Sequence, residues 1–521
     1  MHRLAAIVNA VLFTILNTAA IGEDAPVHKR AEPKFYVGVC AHFGQNKGIP
    51  DRNLALMKEA GINSLRDELS WAGVERKHGQ HVMPTDKSAT MRKAAELGIA
   101  PMLIFDYANP LYDGGDRPRS PEALDGYAVY AAALVSHFGR DIRLYEVWNE
   151  YDIGIGMPEP FRKGGSPEDY VTMLRRVYPR IKKVDPQIQV IGGAVTGEGV
   201  RRGWLEEALK LGMLDHCDIL SIHTYNYGSR GTEKTPEAWC QWMKQVQETA
   251  RRYHDGREVP TYVTEMGWPT HVGKANSTLP EISASYLGRL YLLARTLRFM
   301  KGVWWYDYQD DGWEAEYNEH NFGIVRPDLT PKPSYYVMAD VAELAARGKY
   351  LGRLETDDTL LWVLRFQLDG KHVWAAWSAD DTPRQLLLQT ETPDEALVIH
   401  KLGHRPVERG WGYRAWATKG GGAALIRNRA AVVVGDRPWL LCGGMESARL
   451  LQAADEPGTP GGTRVSREHA TTAERITAGY YTSCKVADAP VPLPRTWRCN
   501  AVAVFGDEPF THSTPHGTRG G

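Results

Sequence analysis

The chain has 521 residues, more than one ordinary domain needs and enough for a barrel of roughly 250 to 330 residues with a companion module. Lys+Arg total 62 and Asp+Glu 63, a net charge of −1, which excludes both a basic footprint for nucleic acid and the acidic bias of a disordered chain. The hydrophobic share of 43% is ordinary, whereas 16 Trp and 24 Tyr are generous and are expected to be mostly core.

In chain order, MHRLAAIVNAVLFTILNTAA sets an Arg before an apolar run ending in small residues, the pattern of a signal peptide over residues 1–22. The run from Leu4 to Ile21 is nearly long enough to span a bilayer, so a membrane anchor is the alternative reading. Cleavage of the leader predicts a secreted or periplasmic protein with no stable membrane insertion. The six cysteines (Cys40, Cys217, Cys240, Cys442, Cys484, Cys499) are too widely spaced for a staple framework or a zinc signature. Cys484 with Cys499 is the expected pair if one forms.

Over residues 35–345 short apolar runs alternate with amphipathic segments of ten to twenty residues, the pattern of βα units on a parallel sheet. Eight strands are predicted: Phe35 to Cys40, Ile62 to Glu68, Ala100 to Phe105, Arg143 to Trp148, Gln189 to Gly193, Ile219 to His223, Pro260 to Thr264 and Val303 to Tyr308. Ser120-Pro121 and Ser166-Pro167 open two of the predicted helices as a cap residue followed by Pro. Eight units predict a closed (β/α)8 TIM barrel. Residues 346–444 change to strand pairs such as TLLWVLRFQL and HVWAAWSAD around Asp369-Gly370-Lys371, which predict a β-sandwich. Residues 445–521, opened by DEPGTPGGTR, read as a linker and a poorly ordered tail.

Two predicted strands stop on glutamates. Leu144-Tyr-Glu-Val-Trp-Asn-Glu150 ends strand four, and Pro260-Thr-Tyr-Val-Thr-Glu265 ends strand seven. The carboxyl ends of barrel strands form the active face. Cleaving a glycosidic bond needs one carboxyl group to protonate the leaving oxygen and a second to attack or to activate water. A solvated loop residue or an ion-pair partner is the plainer reading for either glutamate alone.

Together the Trp148-Asn149-Glu150, Thr264-Glu265 and Trp305-Tyr306-Asp307 strand ends resemble the barrel clan A of retaining glycoside hydrolases. Tyr107-Ala-Asn-Pro-Leu-Tyr-Asp-Gly-Gly115, His223-Thr-Tyr225, Glu265-Met-Gly-Trp-Pro269, Asn321-Phe-Gly323 and Pro331-Lys-Pro333 look most similar to family 39 and bacterial exopolysaccharide hydrolases. The resemblance spans roughly residues 35 to 444. It implies Glu150 as acid/base, Glu265 as nucleophile, Asn149 on the substrate 2-hydroxyl, and Arg66 keeping the nucleophile ionised. His223 and Tyr225 end strand six; Tyr225 is expected on the nucleophile and His223 on the sugar, with a core histidine as the alternative. Trp268, Trp305, Tyr306, Tyr107, Tyr112 and Trp313 follow strand ends and are expected to stack on sugar rings, with core packing the competing reading; Asn109 is carried as a substrate contact.

Trp362, Trp374 and Trp377 in the sandwich are expected to be packing rather than a sugar platform. Asn276-Ser-Thr278 is a glycosylation sequon by pattern. Asp310, Asp311, Glu314, Glu316 and Glu319 read as a solvated acidic loop, alternatively a rim for a neutral or amino sugar. No cofactor and no catalytic metal are expected. The expected partner is an oligo- or polysaccharide, cleaved by an endo-acting enzyme on an extracellular polysaccharide. An exo-acting β-xylosidase-like enzyme, a noncatalytic glycan-binding barrel and a sugar transferase are the other readings.

Overall fold

A computed structural model describes residues 35–380, 382–389, 396–403, 423–425, 429–442, 445, 449–450 and 502–503. The leader and the Cys484/Cys499 pair lie outside the described residues.

The strands β1 (Tyr36–Cys40), β2 (Ser64–Glu68), β3 (Ala100–Phe105), β4 (Leu144–Val147), β5 (Gln189–Thr196), β6 (Ile219–His223), β7 (Thr261–Met266) and β8 (Met300–Trp305) pair in parallel and close, β1 bonding β8. They are buried on both faces, as a sheet wrapped in helices must be, which explains their continuous apolar runs. Inside the barrel, Tyr36, Tyr262 and Trp304 pack with Met102, Leu144 and Ile191. Trp304 fits because Gly38 faces it: a Cβ there would lie 2.2 Å from the indole. Ser120 and Ser166 cap their helices by accepting from the Ala123 and Asp169 amides.

β8 begins and ends three residues earlier than predicted. Exposed Lys301 interrupts the apolar pattern and hides the true start, so Tyr306, Asp307 and Tyr308 lie beyond the strand rather than in it. β5 runs longer than predicted, to Thr196, across an irregularity at Gly193 and Ala194 where φ is 127° and 45°.

The last barrel helix, Pro333–Arg347, leads directly into β9 (Lys349–Arg353). Next come β10 (Leu361–Leu368) and β11 (Lys371–Ser378), joined by Asp369 and Gly370 at φ 49° and 81°, a two-residue turn with both φ positive, as the sequence implied. A six-stranded and a four-stranded antiparallel sheet make the β-sandwich after the barrel. Trp377 donates to Glu237 at 2.8 Å and stacks on Trp362 at 5.7 Å, while Glu237 also pairs with buried Arg289. These indoles therefore serve packing against the barrel. Among the described residues no helix is long and apolar enough to cross a membrane; Cys40, Cys217 and Cys240 are buried free thiols, and Cys442 is buried.

Candidate active site

At the carboxyl ends of the barrel strands, β4 runs straight into a strained turn: Trp148 and Glu150 have φ of 67° and 48°, unusual for residues with side chains. The turn aims Asn149 and Glu150 inward beside Glu265, the fifth residue of β7. Arg66 on β2 lies beneath all three, 3% exposed. Its guanidinium donates Nη1 to Glu265 Oε1 at 2.7 Å, Nη2 to Asn149 Oδ1 at 2.8 Å and Nε to Glu146 Oε2 at 2.6 Å. Burial opposes that charge, but Glu146 and Glu265 hold the guanidinium firmly protonated.

Tyr225 donates its hydroxyl to Glu265 Oε2 at 2.9 Å, so each Glu265 carboxylate oxygen has a donor. Burial, then the charge of Glu265, lifts the Tyr225 phenol well above its ordinary range and keeps it a donor. Asn149 donates Nδ2 to the Tyr107 hydroxyl at 3.0 Å, fixing the amide orientation.

Glu150 sits differently. Burial, reinforced by the charge of Asp152 and only partly opposed by Arg66, pushes its carboxyl up to about 8. It lies 2.9 Å from His223 Nδ1, and the His223 pKa is lowered by burial. One carboxyl group thus holds a proton near neutral pH while its neighbour is held among hydrogen-bond donors, the division of roles that acid/base and nucleophile require.

Two triplets of ionisable side chains bring donor atoms within 4.8 Å of one another: Glu150, His223 and Glu265, and His42, Asp307 and Asp311. In the first, hydrogen bonds already join the groups to each other and to Arg66 and Tyr225. In the second, the charge of Asp307 outweighs burial and raises His42 to about 9, so an imidazolium faces Asp307 while Lys47 lies 2.6 Å from Asp311. Protein cations neutralise that pair of aspartates.

A scan against protein-family models matches none, and no curated protein matches the chain. Solved structures do. A family 39 glycoside hydrolase from the gut symbiont Bacteroides cellulosilyticus WH2 is 26% identical, with a TM-score of 0.62 over 79% of this chain and 81% of that one. The barrel is that of the clan A glycoside hydrolases, and the chain is similar to family 39. A β-xylosidase from Caulobacter crescentus CB15 (18% identical, TM-score 0.53, 79% and 97% covered) and a family 30 endoxylanase from Clostridium papyrosolvens C71 (13%, 0.53, 79% and 97%) share the fold.

Glu265, Asn149, Arg66, Tyr225 and Tyr107 meet in one hydrogen-bonded cluster, which Glu150 joins through His223, Thr264 and Glu146. Tyr306 is half-buried at the mouth against Phe322 and Tyr225. Five expectations need correction. His223 is 0% exposed and both ring nitrogens are engaged, Nδ1 by Glu150 and Nε2 by Thr264, so it contacts Glu150 and not a sugar. Trp268 and Trp305 are 0% and 1% exposed and donate to the Lys234 and Phe322 carbonyls. The segments after β7 and β8 fold tightly over one another: a Cβ on Gly267 would lie 2.0 Å from the Tyr306 carbonyl oxygen. That packing covers both indoles. Asn109 holds its own loop, donating to the Glu75 carbonyl and accepting from the Leu111 amide. Tyr112 also belongs to the core, stacked on Trp71. Trp313, by contrast, is 66% exposed on the segment after β8.

Glu146, Thr264 and His42 carry no role that the sequence assigned. Glu146 had a signal, a charged residue inside a buried strand, which demands a partner. Glu319, placed in a solvated loop, is half-buried and pushed up to about 7 by burial and then by the charge of Glu265. The sequon residue Asn276 accepts at Oδ1 from His271 Nε2 at 3.0 Å, and Thr278 is buried.

Proposed function

We propose that the protein cleaves β-glycosidic bonds with retention, Glu265 as nucleophile and Glu150 as acid/base. The observation that carries this reading is the spacing: an oxygen of Glu150 and an oxygen of Glu265 lie within 4.8 Å of one another. Retaining pairs stand about 5 to 5.5 Å apart, whereas inverting pairs need about 6.5 to 9.5 Å to admit a water. Glu265 attacks the anomeric carbon while the bond to the leaving oxygen breaks and that oxygen takes the proton of Glu150. A water then attacks the same carbon, gives its proton to Glu150 and releases Glu265 as a carboxylate. Asn149, oriented by Arg66 and Tyr107, is placed for the neighbouring hydroxyl, and Tyr306 for the ring.

The substrate proposed is an oligo- or polysaccharide outside the cell, reached by an exported enzyme acting within the chain. Export rests on the Arg-then-apolar pattern of residues 1–22. Action within a chain is supported by Trp313 and Tyr317, exposed on the segment after β8, whose flat faces suit sugar rings. The test is a screen of exopolysaccharides and aryl β-glycosides with product sizing, run beside Glu265→Ala. Turnover lost in the variant and a ladder of internal products are expected; glycan binding with no product from the unaltered enzyme would favour a binding protein instead.

A further inference from the structure

Resting on the acid/base assignment above, a second buried carboxylate acquires a role. Glu146 lies on β4 four residues before Glu150, fully buried, and its two oxygens reach opposite sides of the site. Oε2 accepts from Arg66 Nε at 2.6 Å, and Arg66 continues to Glu265 and Asn149. Oε1 accepts from the Thr264 hydroxyl at 2.8 Å; Thr264 Oγ1 is 3.0 Å from His223 Nε2, and His223 Nδ1 is 2.9 Å from Glu150 Oε1.

We propose that Glu146 is a positioning residue that fixes the direction of this hydrogen-bond chain and thereby keeps the proton on Glu150. An ionised carboxylate only accepts, so the single Thr264 proton points to Glu146. Thr264 Oγ1 can then offer His223 only a lone pair, which selects the tautomer carrying its proton on Nε2. Nδ1 is left bare towards Glu150, and the contact is satisfied when Glu150 supplies the proton. The opposite tautomer would turn the Thr264 proton away from Glu146 and leave Oε1 unsatisfied in a dry interior, where a lost partner is costly. Glu150 also faces Glu265 from β7, Arg66 from β2, Asp152 from its own turn and Glu319 from the segment after β8. Burial, the charge of Asp152 and the charge of Glu146 itself favour protonation while Arg66 opposes it, so Thr264→Val, which leaves the charge of Glu146 in place, isolates the hydrogen-bond chain. The chain keeps Glu150 an acid in the first step and a strong base in the second.

Two variants test the chain, read by the pH dependence of kcat/KM on an aryl glycoside that the enzyme turns over and by 15N NMR of labelled histidine. Glu146→Gln lets an amide donate to Thr264 and reverses the chain. Thr264→Val cuts it while leaving the Arg66 pair intact, should the first variant not fold. In both, the alkaline limb is expected to move about one pH unit lower, with His223 protonated on Nδ1; Thr264→Ser is expected to restore limb and tautomer. Either readout staying at its wild-type value in Thr264→Val overturns the proposal. Glu150→Ala separates the two levels: persistence of the alkaline limb there sinks the acid/base reading itself, whereas its loss beside a silent Thr264→Val sinks only the coupling.

Discussion

Two buried arginine–carboxylate clusters hold this molecule together, one at the barrel mouth and one between barrel and sandwich, and they differ in what they leave open. At the junction, Arg289 is paired with Glu237, Trp377 donates to the same carboxylate and Arg289 reaches the Ala379 carbonyl. Every charge there is matched. At the mouth, Arg66 is shared among Glu146, Glu265 and Asn149, and a further carboxyl, Glu150, is buried nearby with no cation bonded to it. Its pKa rises in consequence. A matched pair fixes geometry; an excess carboxylate stores a proton. Displaced titration in a cleft marks a functional site only when such a geometric reason accompanies it.

That contrast can be broken at either end. Glu265→Ala is expected to lower kcat by at least ~10^4-fold with an unchanged circular dichroism spectrum; an active variant would deny the mouth its chemistry. Arg289→Ala strands Glu237 without its cation and is expected to cost about 3 to 5 kcal/mol in urea unfolding, while the pH optimum of the remaining folded enzyme stays put. A moved optimum would erase the distinction between the clusters.

Glu150→Ala is expected to lose about 10^2- to 10^4-fold on poor leaving groups and much less on dinitrophenyl glycosides, because protonation then matters less. Unaltered enzyme is expected to lose kcat/KM as pH rises through about 8, where Glu150 gives up its proton. The sign for stability is the same. A carboxyl whose folded pKa is raised contributes fully below its unfolded value and loses that contribution as pH climbs through about 8, so the melting temperature should fall over this window and fall less in Glu150→Gln. The smallest effect concerns Trp362: replacing it with Ala removes the stack on Trp377, about 0.5 to 1.5 kcal/mol beyond lost area, measured by thermal unfolding with activity retained.

The barrel was legible because parallel strands buried on both faces read as uninterrupted apolar runs, and Glu150 and Glu265 were legible because polar residues ending such runs are conspicuous. Tyr225, two residues beyond β6, could be paired with Glu265 only through the family resemblance of His223-Thr-Tyr225. The burial of Trp268 and Trp305 was not legible: it depends on how the segments after β7 and β8 cover each other, a long-range contact with no periodicity. His223 was misplaced for a related reason, since only the third dimension shows that Thr264 and Glu150 occupy both its nitrogens. Glu146 was visible as a charge in an apolar strand, but its two partners sit on β2 and β7, 80 and 118 residues away.

The central claim, a carboxylate pair spaced for double displacement, meets its most direct test in the anomeric configuration of the first product. Proton NMR of early hydrolysis of a β-linked substrate should show the β-anomer appearing first and the α-anomer only later by mutarotation. The α-anomer appearing first would mean inversion, and would contradict the roles given to Glu150 and Glu265.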